Sequence, residues 1–207
     1  MLILVGVITD SFISRADLSI NLTMVAIQGT FFTAISKVID VLFGVWSMTA
    51  ISIIITLILY FKDSKNKELK NKEQNKNSKK NALFFAITLA ATEIIITLLK
   101  LLMHRARPTN AIISTSDFAF PSGHTTFAVV FFGLIAYLLF DKIKKEEKKR
   151  KERFAVVVTV FSLLVLLIGF SRIYLNIHWL TDILAGLFLG GFLLTAAIIF
   201  RKKYAKE

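Results

Sequence analysis

Cysteine is absent from the 207-residue chain, which removes disulfides, thiolate nucleophiles and cysteine-ligated metals from consideration. Histidine is scarce, with three residues, and acids are outnumbered, 14 Asp and Glu standing against 26 Lys and Arg. Charge of either sign accounts for only 19% of the residues, whereas 55% are hydrophobic. That balance directs attention to membrane spans before a soluble core.

Apolar runs at about 41–61, 82–103, 122–140, 154–172 and 180–200 each approach the ~20 residues that cross ~30 Å of hydrocarbon. No run is broken midway by Gly or Pro pairs in matching positions, and no inverted repeat is visible, which weakens a transporter reading. The expected architecture is therefore all-α, a polytopic transmembrane helical bundle with five clear spans.

A net charge of +12 would suggest nucleic acid as partner for a soluble chain, but its placement decides otherwise. Most Lys and Arg fall in three blocks, Lys62 to Lys80, Lys142 to Arg153 and Arg201 to Lys206, each at the end of a span. Alternation of the spans puts all three on one side, and the positive-inside rule makes that side cytoplasmic. The blocks lack aromatic or motif support for nucleic acid, and attraction to anionic headgroups is a secondary role for them. Residues 62–80, rich in Lys and Asn, and 142–153 are expected to be cytoplasmic loops, the first of them flexible, and 201–207 a cytoplasmic tail.

Met1–Ile8 is apolar but would extend only ~12 Å as a helix, and it lacks the basic start of a signal peptide. It is expected to be a truncated first span or a short apolar terminus. Thr9 to Asp40 mixes Asp10, Arg15, Asp17 and Lys37 with apolar residues, as suits an interfacial helix or cap on the outer face, with no function assigned to it. Residues 1–40 thus precede a transmembrane domain at 41–200.

Three polar segments remain for the outer face. In KLLMHRARP, Lys100 to Pro108, three cations gather at a helix end; long basic side chains there either snorkel or serve a function. PSGH, Pro121 to His124, stands where an outer loop turns into a helix. Pro and Ser suit a helix start, Gly permits close approach of a ligand, and the amides of a helix N-terminus favour phosphate. The same four residues also read as an N-cap beside an incidental His. In SRIYLNIHWLTD, Ser171 to Asp182, His178 and Asp182 are four apart and share a helix face. The carboxylate can accept from one ring nitrogen and leave the other exposed as a nucleophile. Only His104, His124 and Asp117 could add ligands nearby, too few to make a metal centre the preferred reading. Together the segments suit a phosphoryl group: Arg forks match its oxygens, and a His pair can divide nucleophile and acid roles without a metal.

These segments resemble the three-part signature of the type 2 phosphatidic acid phosphatase superfamily: Lys, six residues, Arg-Pro; Pro-Ser-Gly-His; Ser-Arg, five residues, His, three residues, Asp. Lys100, Arg107, Pro108, Pro121, Ser122, Gly123, His124, Ser171, Arg172, His178 and Asp182 match every defining position. The resemblance covers roughly Asp40 to the C-terminus and implies a helical bundle with its site at the outer end. Members of this integral-membrane branch usually have six spans, so the N-terminus departs from the pattern. It further implies that His178 attacks phosphorus to give a phosphohistidine and that Asp182 fixes its tautomer. Lys100, Arg107 and Arg172 would hold phosphate oxygens, Ser122 and the Gly123 amide would add hydrogen bonds, and His124 would protonate the leaving group and then activate water. No metal or other cofactor is implied. His104 and Arg105 lie beside the signature and are placed at its rim, and Glu93, two turns before Lys100, is read as a hydrogen-bonded acid between helices.

The expected activity is a plasma-membrane, metal-independent lipid phosphate or diphosphate phosphatase acting at the extracytoplasmic face. Phosphatidylglycerol phosphate, undecaprenyl diphosphate and phosphatidic acid are the candidate substrates. Phosphotransfer from a lipid to another acceptor would share the first step. Non-catalytic binding or transport of anionic lipid needs the cations but not the two His and the Asp, and a vanadate haloperoxidase is disfavoured by the spans.

Overall fold

A computed structural model describes residues 12–61, 71–142 and 147–204, and among them the chain forms seven helices and no strand. They are α1 (Phe12–Ala26), α2 (Thr30–Leu42), α3 (Val45–Phe61), α4 (Asn71–Met103), α5 (Gly123–Lys142), α6 (Glu147–Tyr174) and α7 (Leu180–Tyr204). Four contain stretches long and apolar enough to cross a membrane: Asn77–Met103, Gly123–Phe140, Lys151–Tyr174 and Leu180–Lys203. At 17 residues α3 is apolar but would reach only about 25 Å, short of the ~30 Å of hydrocarbon. The chain is a multi-pass membrane protein built as a helical bundle, with a helix over each of the five apolar runs.

The bundle is organised around α5, which packs against α4, α6 and α7. Its Val130 and Leu134 are fully buried, with Phe85 of α4 and Ile168 of α6 joining them in the core. Large apolar side chains on the outside, such as Trp46, Phe188 and Phe192, are well exposed, as expected where lipid rather than water is the neighbour. Two glycines set the spacing of α5 and α7. A Cβ on Gly186 would meet the Ser122 carbonyl oxygen at 2.9 Å, and one on Gly190 the Thr126 carbonyl oxygen at 2.8 Å. Small residues four apart thus let the two backbones approach, which holds the start of α5 against the start of α7.

Three boundaries differ from the sequence expectation. The run from 41 is interrupted at Phe43 and Gly44, so the helix of that span begins at Val45. The segment 62–80, expected as a loop, is helical from Asn71; Lys, Glu and Gln are good helix formers, and extending an existing helix avoids a new nucleus. Helix α6 likewise starts at Glu147, inside the expected loop 142–153. Met1–Ser11, which holds the apolar terminus, lies outside the described residues.

The N-terminal pair α1 and α2 is bent by 119° at Ile27–Gly29. Tyr174, at the end of α6, fixes the bend: its hydroxyl accepts from the Gly29 amide at 2.9 Å, and its carbonyl accepts from the Gln28 side chain at 3.2 Å. Helix α1 therefore lies against α6 and α7, and α2 against α6, whose end carries motif residues.

Candidate active site

The three sequence motifs converge at one end of the bundle because the helices alternate in direction. Helix α4 ends there with Lys100, α5 begins there with Pro121 to His124, α6 ends with Arg172, and α7 begins just before Asp182. The start of α5 is tied to that of α7 by the Ser122 amide, which donates to the Asp182 carbonyl at 3.0 Å. A Cβ on Gly123 would stand 3.8 Å from Lys100 Cε, so the first two motifs are in contact.

His178 lies on the short connection between α6 and α7 and is 2% exposed. Its Nδ1 is 3.3 Å from Asp182 Oδ2, and its Nε2 is 3.3 Å from Arg107 Nη1. An arginine can only donate, so Nε2 faces it as the acceptor and Nδ1 carries the proton toward Asp182. Burial holds the ring well below its usual range, at about 4; the hydrogen bond and charge of Asp182 pull upward but do not offset it, and Arg107 and Lys100 push further down. At neutral pH the imidazole is neutral with its Nε2 lone pair turned to the cations.

Asp182 is completely buried and its carboxylate is saturated. Oδ2 accepts from the Trp179 amide at 2.9 Å as well as facing His178, and Oδ1 accepts from Arg105. Arg107 is fixed through the Ile177 and Asp117 carbonyls and through Asp117 Oδ1, 2.6 Å from Nη2. Lys100 donates to the other oxygen of Asp117 and to the Phe118 carbonyl. One loop carboxylate thus bridges two cations of the first motif. Burial raises the Asp117 carboxyl, but the Lys100 hydrogen bond and the charges of Lys100 and Arg107 outweigh it and leave it below the usual carboxylate range.

Arg172 is fully buried and ion-paired to Asp40 on α2, and its guanidinium also donates to Ser171 Oγ at 3.1 Å. The same Asp40 oxygen is 3.7 Å from His124 Nε2, so a single carboxylate faces both. Ser122 is buried with its hydroxyl 3.1 Å from Thr125 Oγ1, within the first turn of α5. Every residue named from the sequence for the site, Lys100, Arg107, Ser122, Gly123, His124, Arg172, His178 and Asp182, belongs to this one end.

Four polar contributors were not foreseen. Asp17 and Asp40 come from the segment given no function, yet they contact Arg105 and Arg172. Asn21 of α1 donates to Asn176 Oδ1 at 2.8 Å and accepts from Asn110 at 3.1 Å, bracing the connection that carries His178. Arg105, placed at the rim, is instead largely buried between two acids. His104 and Asn176 are the non-glycine residues with positive φ among the described residues. His104 ends α4 with its ring edge-on to Phe118 at 4.4 Å, a structural position, and Asn is a residue that tolerates the left-handed region. Glu93 lies along a cavity of about 260 Å³ lined in part by Thr49, Ser52, Thr56 and Phe127.

Fold and site together define a membrane helical bundle with a buried His-Asp pair set among arginine and lysine side chains. The chain belongs to the PAP2 superfamily, whose family model matches residues 81–206. Among curated proteins it is similar to phosphatidylglycerophosphatase B of Bacillus subtilis (strain 168), 32% identical over 111 residues. That alignment covers 53% of this chain and 53% of the relative, so it spans about half the length of the curated protein. Among solved structures, the crystal structure of the first transmembrane PAP2 type phosphatidylglycerolphosphate phosphatase from Bacillus subtilis superposes with a TM-score of 0.80 at 25% identity. It covers 98% of this chain and 92% of that one. Aquifex aeolicus LpxE shares the fold, with a TM-score of 0.62 at 15% identity over 87% of this chain and 93% of that one.

Proposed function

We propose that the chain hydrolyses a phosphate or diphosphate ester of a membrane lipid through a phosphohistidine on His178. The observation that carries this reading is the orientation of the imidazole, with Nδ1 bonded to Asp182 and Nε2 aimed at Arg107. Lys100, Arg107 and Arg172 hold the phosphoryl oxygens as charge develops on them. The Nε2 lone pair forms the N–P bond while the P–O bond to the lipid breaks, and His124 gives its proton to the departing oxygen. Water then attacks phosphorus, the N–P bond breaks, and His124 takes the water proton, releasing phosphate and the dephosphorylated lipid. Ser122 and the Gly123 amide add donors at the start of α5.

Asp117 spans Lys100 and Arg107 as a phosphate would, so substrate binding displaces it. The same fork and ammonium geometry that receives a carboxylate receives a phosphoryl group with more oxygens and more charge.

The site faces the extracytoplasmic side, because the basic blocks at the opposite end fall under the positive-inside rule. Substrates of the class are lipid monophosphates and diphosphates, with phosphatidylglycerol phosphate favoured by the similarity to the Bacillus subtilis proteins and undecaprenyl diphosphate and phosphatidic acid as the other candidates. Purified protein is expected to release phosphate from at least one of these three lipids in the presence of chelator; no release from any of them would overturn the reading. Reporter fusions after Phe118 should appear outside and those after Lys148 inside, and the reverse would overturn the sidedness.

A further inference from the structure

Arg105 stands two residues before Arg107 and could pass for another phosphate ligand, but its guanidinium is used elsewhere. Nη1 donates to Asp182 and, at 2.7 Å, to Thr181 Oγ1, while Nη2 donates to Asp17 at 2.7 Å. The guanidinium also lies over the Trp179 ring, 5.6 Å from its centroid, and the indole N–H donates to the Ala106 carbonyl at 2.9 Å. Asp17 in turn accepts from the Thr181 amide at 3.0 Å and from its hydroxyl at 2.5 Å. Asp17 is 2% exposed and Asp182 fully buried, so Arg105 is the cation shared by two buried carboxylates on either side of Thr181.

This continuous set reaches the reacting group: α1 holds Asp17, Asp17 holds Arg105 and the first turn of α7, Arg105 holds Asp182, and Asp182 orients His178. Resting on the hydrolytic reading above, we infer that Arg105 and Asp17 are positioning residues that fix the rotamer of Asp182, and through it the Nδ1–H tautomer of His178. Asp17 lies outside the stretch 81–206 that the family model matches, so the bent N-terminal pair completes the catalytic end of the matched bundle. Without the guanidinium, both buried carboxylates would lose their common cation, and Asp182 Oδ1 would lose the donor that holds it. A rotated Asp182 would no longer select which His178 nitrogen carries the proton.

The experiment compares full-length wild type with Arg105→Gln, Arg105→Lys and Asp17→Asn in detergent, with His178→Ala as reference. Two readouts are taken, steady-state hydrolysis of the lipid phosphate panel and histidine-selective ¹⁵N NMR, in which the His178→Ala spectrum assigns the His178 signals. Arg105→Gln should lower kcat by about tenfold to a hundredfold, the usual cost of removing a partner that orients a reacting group, with KM moving less than about threefold. Its His178 signals should shift from the Nδ1–H tautomer to a mixture. Arg105→Lys should recover part of kcat and of the tautomer, and the isosteric Asp17→Asn should show the same changes on a smaller scale. The inference is overturned if Arg105→Gln keeps both kcat and the tautomer, or if its loss is confined to KM, which would make Arg105 a phosphate ligand. Should Arg105→Gln fail to fold, unchanged kcat and tautomer in Asp17→Asn overturns it equally. A wild type inactive on every lipid sinks the hydrolytic reading separately, because the NMR comparison still decides whether Arg105 sets the tautomer.

Discussion

At one end of the bundle Lys79, Lys80, Arg153 and Lys202 are exposed, while at the other Lys100, Arg105, Arg107 and Arg172 are largely or fully buried, each in contact with an aspartate. Asp17, Asp40, Asp117 and Asp182 supply those contacts. The formal charge of +12 is therefore unevenly distributed in kind as well as place. Exposed lysines act through their number, as a field near a membrane surface. Buried arginines act through geometry, because each needs a partner to be tolerated and the partner dictates where the guanidinium points. Asp40 and Asp182 are largely or fully buried, whereas Asp117 is more than half exposed and is the carboxylate a phosphate can most easily replace.

The strongest break in this comparison comes from removing the proposed nucleophile: His178→Ala should cut turnover by ~10³-fold or more while leaving the fold intact, as read from phosphate release beside thermal unfolding. Next, Arg172→Ala leaves Asp40 facing only His124 and should destabilise the protein by about 1–3 kcal/mol, visible as a lowered midpoint in detergent. A Lys202→Gln change at the opposite end should alter neither quantity appreciably. The pH dependence of phosphoenzyme formation sharpens the contrast further. Because burial keeps the imidazole neutral down to about 4, the acid limb belonging to His178 should lie near that value rather than near 6.5, with the rate falling as pH drops through it. A smaller effect than those of His178 and Arg172 is expected of Asp117→Asn, which removes a competitor for Lys100 and Arg107. KM or the inhibition constant of inorganic phosphate should fall by no more than about fivefold, in keeping with the ~1 kcal/mol ceiling for an exposed pair.

The helices over the five apolar runs and the convergence of Lys100, Arg107, His124, Arg172, His178 and Asp182 were legible in the sequence, because hydrophobic length and motif spacing are local signals. Asp17 and Asp40 were not, since they meet their arginines across 88 and 132 residues and no local period marks them. Arg105 was misplaced at the rim for a related reason. Its neighbours Lys100 and Arg107 sit in a spacing pattern, and nothing in one dimension tells which of three nearby cations turns toward the buried acids Asp17 and Asp182. The helix start at Asn71 was hidden by a Lys- and Asn-rich composition that reads as a loop until a long apolar helix follows it. Long-range pairs of buried charge are what the fold adds to the sequence, and here they lie around His178 and Asp182.

The most direct test is to trap the covalent intermediate. Wild-type protein mixed with radiolabelled lipid phosphate in chelator and quenched in alkali, where phosphohistidine survives, should carry label on the chain, and His178→Ala should carry none. Equal labelling of a folded His178→Ala variant, or turnover by wild type with no label at any quench time, would contradict a phosphohistidine on His178.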